Sequence, residues 1–210
     1  MNMEIILRYF PGLMPVQKAQ FGQLLALYEA ENAAVNLISR KDMGSFYLHH
    51  VLHSLAPARF VRWPPACEVL DLGTGGGFPL IPLAILFPEV QFTGIDGTGK
   101  KVRAAQRIAE ALSLQNVRLV HARAEEFRGQ FHFIVSRAVC TLDALIRYGS
   151  PLLRKKNLAA LPNGIIAYKG GDLKEELTLV GKGQYIEIWP IGDHFSETCF
   201  EEKVLVYLQH

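Results

Sequence analysis

The sequence has few cysteines, no long apolar run and almost no net charge. Cys67, Cys140 and Cys199 are odd in number and widely spaced, with no Cys-x-x-Cys pair and no histidines at metal spacing. That argues against a disulfide framework or a structural zinc and leaves each as a small buried hydrophobe in a reducing compartment. No apolar run reaches membrane-spanning length, and the first residues lack a basic stretch followed by a hydrophobic core and cleavage site. We therefore expect a cytoplasmic protein with no membrane partner. The formal net charge of +2 neither demands nor excludes a nucleic-acid partner, so any basic footprint has to be local. Internal repeats and low-complexity segments are absent as well.

What is present fits one main folded unit. In 210 residues, 50% hydrophobic and 20% charged, there is enough apolar surface for a full core, so disorder is excluded. Helical periodicity runs from Pro15 to about Glu31 (Phe21, Leu24, Leu25, Leu27, Tyr28), and a second helix is expected over Met43 to Leu55. Pro57 and the Trp63-Pro64-Pro65 stretch mark a junction. The division expected is a helical extension, 1–64, before a domain over 65–210. From Cys67 on, short apolar runs (67–72, 90–95, 117–121, 131–136, 164–169) alternate with helical patterns (79–87, 99–113, 141–154, 172–181). That alternation predicts a parallel α/β sheet. Tyr185 to Trp189 and Lys203 to Tyr207 have no helix between them and read as an antiparallel closing pair. The sum is a Rossmann-like, seven-stranded, mainly parallel sheet of the class I methyltransferase type, with an antiparallel terminal strand. A dehydrogenase would usually continue into a substrate domain, for which the chain is too short.

Val69 to Pro79 holds the first candidate site. An apolar run ends at Asp71, Gly73, Gly75 and Gly77 follow at alternate positions with Thr74 between, and Phe78-Pro79 opens a segment expected to be amphipathic. Glycine suits a turn that needs positive φ and lets backbone amides approach a ligand. Asp96 closes the next apolar run, nineteen residues after Gly77, where a carboxylate can accept both hydroxyls of a ribose. Spacing alone does not separate a nicotinamide from an adenosylmethionine site. Asp71 does: Asp-x-Gly-x-Gly-x-Gly is the methyltransferase form, since a carboxylate suits an ammonium group and repels a pyrophosphate. A plain turn-capping aspartate is the competing reading for either residue.

Beyond the third strand, Arg123-Ala124-Glu125-Glu126 could meet a base edge, with an acidic helix cap as its competitor. Ser136-Arg137-Ala138-Val139 ends the fourth strand. Enzymes that methylate an exocyclic amine carry Asn/Asp-Pro-Pro-aromatic there, and cytosine-C5 enzymes need a positioned cysteine; neither is present. A ring nitrogen such as guanine N7 attacks a sulfonium methyl without losing a proton, so positioning and desolvation suffice. Arg137 is then the candidate catalytic residue, its planar fork suited to the acceptor or to the cofactor carboxylate, with simple pairing to Asp71 as the alternative. Lys100 and Lys101, with Arg103 and Arg107, and Lys169 beside the site are candidate phosphate contacts. The Arg154-Lys155-Lys156 run is a second basic cluster; a solvated helix face is the default for such runs. His49 and His53 stand one turn apart, but no further ligands accompany them, so no metal is expected.

Taken together, Asp71 to Pro79 with Ile81-Pro82-Leu83-Ala84, Lys100-Lys101, Arg123 to Glu126, Ser136 to Val139, Lys169-Gly170, Asn36-Leu37 and His50 to Leu55 resemble the RsmG (glucose-inhibited division protein B) family over about residues 20 to 175. The resemblance implies methyl transfer from S-adenosyl-L-methionine to N7 of a guanine in 16S, small-subunit, ribosomal RNA. It places cofactor contacts on Gly73, Phe78, Ala124, Glu125 and Arg137, with Asp96 at the ribose and Thr74, Gly75 and Gly77 in the loop. The partner implied is small-subunit RNA or the subunit itself, met by a monomer. His53 stands where the family often has aspartate, and Gly97 where serine commonly follows the ribose acid. A small-molecule methyltransferase and a non-catalytic adenosylmethionine-binding assembly module are the alternatives.

Overall fold

Apolar runs without alternation suit strands covered on both faces. The computed structural model, which describes residues 2–137, 139–181 and 183–210, places all of those runs but 117–121 inside one sheet, with 117–121 at its edge. Its strands are β1 (Glu68–Leu72), β2 (Gln91–Asp96), β3 (Val117–His121), β4 (Phe133–Arg137), β5 (Gly164–Gly170), β6 (Ile186–Pro190) and β7 (Lys203–Gln209), in the order β3-β2-β1-β4-β5-β7-β6. Strands β1 to β5 are parallel, and β7 lies antiparallel between β5 and the outermost β6. The chain leaves β1 toward β3 and later returns to lay β4 on the other side of β1. That reversal makes a crevice at the carboxyl ends of β1 and β4, where open α/β sheets bind ligands.

Helices α1 (Glu4–Tyr9), α2 (Pro15–Asn32), α3 (Leu80–Leu86) and α4 (Gly99–Ala111) share one core with residues of the sheet such as Val69, Phe92 and Phe133. Leu70, Leu72, Ile95 and Ile134 face a second core with α5 (Leu142–Gly149) and α6 (Lys174–Leu179). Three expectations change. The helix α1 is additional; at six residues it owes its order to Ile5 and Ile6, which are buried in the core. The segment following Pro79 is not amphipathic: Leu80 to Leu86 carries no polar side chain, and Leu80 to Ile85 are all buried, with α2 packed against the helix.

The third change is the helix expected over Met43 to Leu55. It is a 3₁₀ turn (Met43–Ser45) leading into a π-helix (Phe46–Leu52). Phe46, Tyr47 and Leu48 are buried there, and so is every residue from Val51 to Pro57, so the segment is packed on more than one side.

Candidate active site

The glycine turn closes β1 with φ of +79° at Gly73, +54° at Gly75 and +93° at Gly77, which glycine alone adopts freely. The amides of Gly73 and Thr74 both donate to Ile95 O at 2.9 Å, folding the loop back on the end of β2. A side chain at Gly73 would run into Val139, and one at Gly77 into Ile81 and Tyr28; above Gly75 there is open space among the described residues. The loop is therefore closed on its protein side and accessible at Gly75. From α2, the Tyr28 hydroxyl donates to Gly76 O at 2.8 Å, and the Tyr28 ring packs on Phe78 with centroids 4.6 Å apart.

Asp96 accepts from Gly75 N at 3.0 Å with Oδ2 and from Thr98 N at 2.7 Å with Oδ1. Each carboxylate oxygen keeps a further lone pair, so it can accept ribose hydroxyls as well. Asp71 is fully buried, takes Leu80 N at 3.2 Å on Oδ2, and has no partner for Oδ1 among the described residues; the neighbouring Thr74 Oγ1 is likewise unpaired. Burial pushes the Asp71 carboxyl up to about 7, opposed by the nearby Thr74 hydroxyl dipole, the Leu80 amide and the Arg137 charge. An unfilled acceptor beneath the loop, open space at Gly75 and an acid at the end of β2 fit an adenosyl ligand carrying an ammonium group.

Arg137, at the end of β4, does not pair with Asp71. Its guanidinium lies over the Phe78 ring, 5.2 Å from the centroid. Nη1 donates to His49 O at 3.4 Å and, at 3.5 Å, to His50 O, while Nη2 stands 3.3 Å from His50 Nδ1. Burial lowers its pKa from the ordinary value, opposed by Tyr168 and Asp71. Ser136, the other described residue of the motif's pair, donates from Oγ to Leu72 O at 2.8 Å and ties β4 to the end of β1. Val139 stays 45% exposed at the rim, and Ala138 lies outside the described residues.

Other candidates scatter around this centre. Ala124 and Glu125 sit in the turn after β3 and begin a cleft of about 610 Å³ that continues past Phe127, Arg147 and Tyr148. Neither the glycine loop nor Asp96 nor Arg137 lines that cleft, so its size is no guide to where the chemistry sits. Lys100 is exposed and Lys101 half-buried in the first turn of α4. Lys169 departs from the expectation of a free cation: its ammonium donates to Glu176 at 2.6 Å and to Cys140 O at 2.8 Å. Arg107 is likewise held by Glu31 and Arg154 by Glu68, in pairs that reach the surface. Sequence reading passed over Asp42, which accepts His49 Nδ1 at 2.9 Å and His50 Nε2 at 3.1 Å. The one signal available was an acid two turns ahead of paired histidines. His53 is buried between Tyr168 and Phe200, and burial holds it well below its usual pKa.

The strand order, the glycine turn at the switch point and the acid closing β2 define a class I methyltransferase domain. Solved structures agree on the fold: Aeropyrum pernix fibrillarin with natively bound S-adenosyl-L-methionine superposes with a TM-score of 0.54 at 10% identity, over 75% of this chain and 73% of that one. Precorrin-6y C5,15-methyltransferase from Geobacter metallireducens gives 0.55 at 13% identity, over 84% and 92%. The family itself comes from sequence. The model for GidB, rRNA small subunit methyltransferase G, matches residues 17–185, and the chain belongs to that family. Ribosomal RNA small subunit methyltransferase G of Porphyromonas gingivalis is 52% identical over 98% of this chain and 92% of its own length. That of Bacteroides thetaiotaomicron is 50% identical over 99% and 100%. The chain is thus an S-adenosylmethionine-dependent methyltransferase.

Proposed function

We propose that the protein methylates N7 of a guanine in 16S ribosomal RNA, acting in the cytoplasm as a monomer. The observation that carries this reading is the rim of β4. Ser136 is committed to Leu72 O, and Arg137 is a donor-only group laid over an aromatic ring. Among its described residues such a rim presents no carboxylate or amide side chain to take an amine proton, and guanine N7 has none to lose. In this reading the glycine turn, Gly73 to Gly77, gives the amino-acid end of S-adenosylmethionine room to approach the backbone at Gly75, Asp96 receives the ribose, and Ala124 with Glu125 meets the adenine edge. Thr74 lends its unpaired hydroxyl, and Phe78 supports Arg137. The bound sulfonium supplies the activated methyl. Arg137 orients the acceptor or the cofactor carboxylate, and exclusion of water does the rest. Lys100 and Lys101 receive RNA phosphates, whereas Lys169 serves the site only through its bond to Glu176. Residues 1–64 form the helical extension and 65–210 the methyltransferase domain, with the first bracing the second.

Incubation with methyl-labelled S-adenosylmethionine and small ribosomal subunits, or naked 16S RNA, is the direct test. Label on a guanine, lost when depurination chemistry selective for N7-methylguanine is applied, is the expected result. Label that never reaches RNA overturns the proposal, and weaker RNA binding with rising salt is expected alongside.

A further inference from the structure

The amino-terminal segment supplies a chain of three groups whose hydrogen-bonding abilities fit in only one way. Asp42 stands at one end, with Oδ2 3.1 Å from His50 Nε2; Arg137 stands at the other, with Nη2 3.3 Å from His50 Nδ1. An ionised carboxylate only accepts and a guanidinium only donates. His50 satisfies both when it is neutral with its proton on Nε2, and in no other state: a proton on Nδ1 would face the guanidinium, and a charged ring would place two cations together. The ring itself is clamped between aromatic neighbours, with Phe78 at 5.4 Å and Phe46 at 6.4 Å between centroids. The π-helical winding presents the carbonyls of His49 and His50 to the same guanidinium. Wide-wound helix turns often mark functional positions.

We propose that Asp42 and His50 are positioning residues: Asp42 fixes the His50 tautomer, and the His50 Nδ1 lone pair holds the Arg137 guanidinium in place over Phe78 for methyl transfer. The amino-terminal helices thereby reach the chemistry through one imidazole. Asp42 also accepts from His49 Nδ1 through its other oxygen, so an amide at 42, with one oxygen where the carboxylate has two, cannot serve both histidines.

The inference rests on Arg137 acting in methyl transfer, and two measurements keep the two ideas apart. Nitrogen-15 spectra of histidine-labelled protein at pH 7 read the tautomer with no reaction at all. His50 is expected as neutral Nε2–H, with an Nδ1 signal that moves in Arg137→Ala and a mixed tautomer in Asp42→Ala; an Nδ1–H or charged His50 in the wild type overturns the relay whatever the enzyme does. Kinetics on small subunits then use His50→Phe, which keeps the aromatic stack and removes both hydrogen bonds. Its rate is expected to fall about tenfold, as losses of orienting partners commonly do, with partial recovery in His50→Asn, whose amide oxygen can stand where Nδ1 stood. Against an Arg137→Ala background, His50→Phe is expected to add nothing. Losses that multiply, or a His50→Phe enzyme of wild-type rate and unchanged melting temperature, overturn the positioning role. A wild-type protein that shows the Nε2–H tautomer yet never labels RNA overturns the proposed reaction and leaves the relay standing.

Discussion

One face of the sheet is covered by α1, α2, α3, α4 and the π-helical segment, whose aromatic core includes Phe21, Tyr28, Phe46, Phe92 and Phe133. The other carries α5 and α6, and where β3 crosses to β4 only a turn at 124–126 intervenes, beside the cleft lined by Phe127, Arg147 and Tyr148. The first face is built inward: α2 buries the outer side of α3, Gln17 donates to Ile85 O and Leu86 O at its carboxyl end, and Tyr28 holds the glycine turn. The second leaves room at the turn that holds Ala124 and Glu125. The difference teaches that the amino-terminal helices brace the glycine turn, while the opposite side is left open at the turn after β3.

Truncation probes that asymmetry most strongly. Phe21→Ala empties a wholly buried position in the braced core and is expected to cost about 3–5 kcal/mol in urea unfolding. Phe127→Ala, at the cleft and half-buried, is expected to cost about 1 kcal/mol. Equal losses would erase the distinction between the faces. Next in size is a pH effect at Asp71, under the brace. Its folded-state pKa, about 7, lies above the unfolded value. The folded protein therefore holds a proton that the unfolded chain has lost, and stability falls as pH rises from about 4 through 7. His50, pulled down to about 4 by burial and then by Arg137, and His53, lowered by burial, act in the opposite sense: their neutral folded forms lose stability as pH drops below the ordinary histidine range. Asp71→Asn mimics the protonated acid and separates the two contributions. The variant's stability advantage over the wild type, without cofactor, is expected to grow by roughly 3 kcal/mol between pH 4 and pH 8. A flat difference would mean that Asp71 is solvated through the loop.

Much of this arrangement was legible beforehand, for identifiable reasons. Short, mainly apolar runs alternating with helical patterns mark parallel strands, so β1 to β5 are legible to within a residue or two, and a turn that needs positive φ leaves glycine, so Gly73, Gly75 and Gly77 are visible. Spacing marks Asp96 as the acid closing the strand after the loop, while its bond to Gly75 N is visible only in the fold. What escaped depends on contacts far apart in sequence. The helix α1 is too short to announce itself, and the π-helix has the composition of an ordinary helix. Charge was the least legible. Lys169, Arg107 and Arg154 read as free cations in a list of residues, yet each meets an acid supplied by another element. Asp42 was invisible as a site residue because its importance lies in His50 and Arg137, the latter nearly a hundred positions away.

At the site, Arg137→Ala is expected to lower the rate of RNA methylation about 100-fold, the order seen when a group that acts on the developing transition state is removed. The melting temperature is expected to fall by only a few degrees, because the guanidinium's partners are long hydrogen bonds to carbonyls and one imidazole. A rate unchanged in a folded variant would remove Arg137 from the chemistry and, with it, the reason to brace it.

The smallest expected effect is the sharpest test of the brace. Tyr28→Phe keeps the ring on Phe78 and deletes one hydroxyl, whose only partner among the described residues is Gly76 O. The tyrosine is fully buried, and burial holds its pKa well above the ordinary value, so the group is a neutral donor at every working pH. Losing a single buried neutral hydrogen bond is worth about 1 kcal/mol. If that bond holds the turn in its ligand-ready shape, the loss appears in cofactor affinity, as a dissociation constant for S-adenosylmethionine raised about fivefold by calorimetry, with a smaller change in unfolding free energy. Tyr148→Phe, on the open face, is expected to leave both quantities where they were. A Tyr28→Phe protein that loses global stability yet binds the cofactor with wild-type affinity would show that α2 supports the core and not the loop, and the contrast between the two faces would reduce to one of packing.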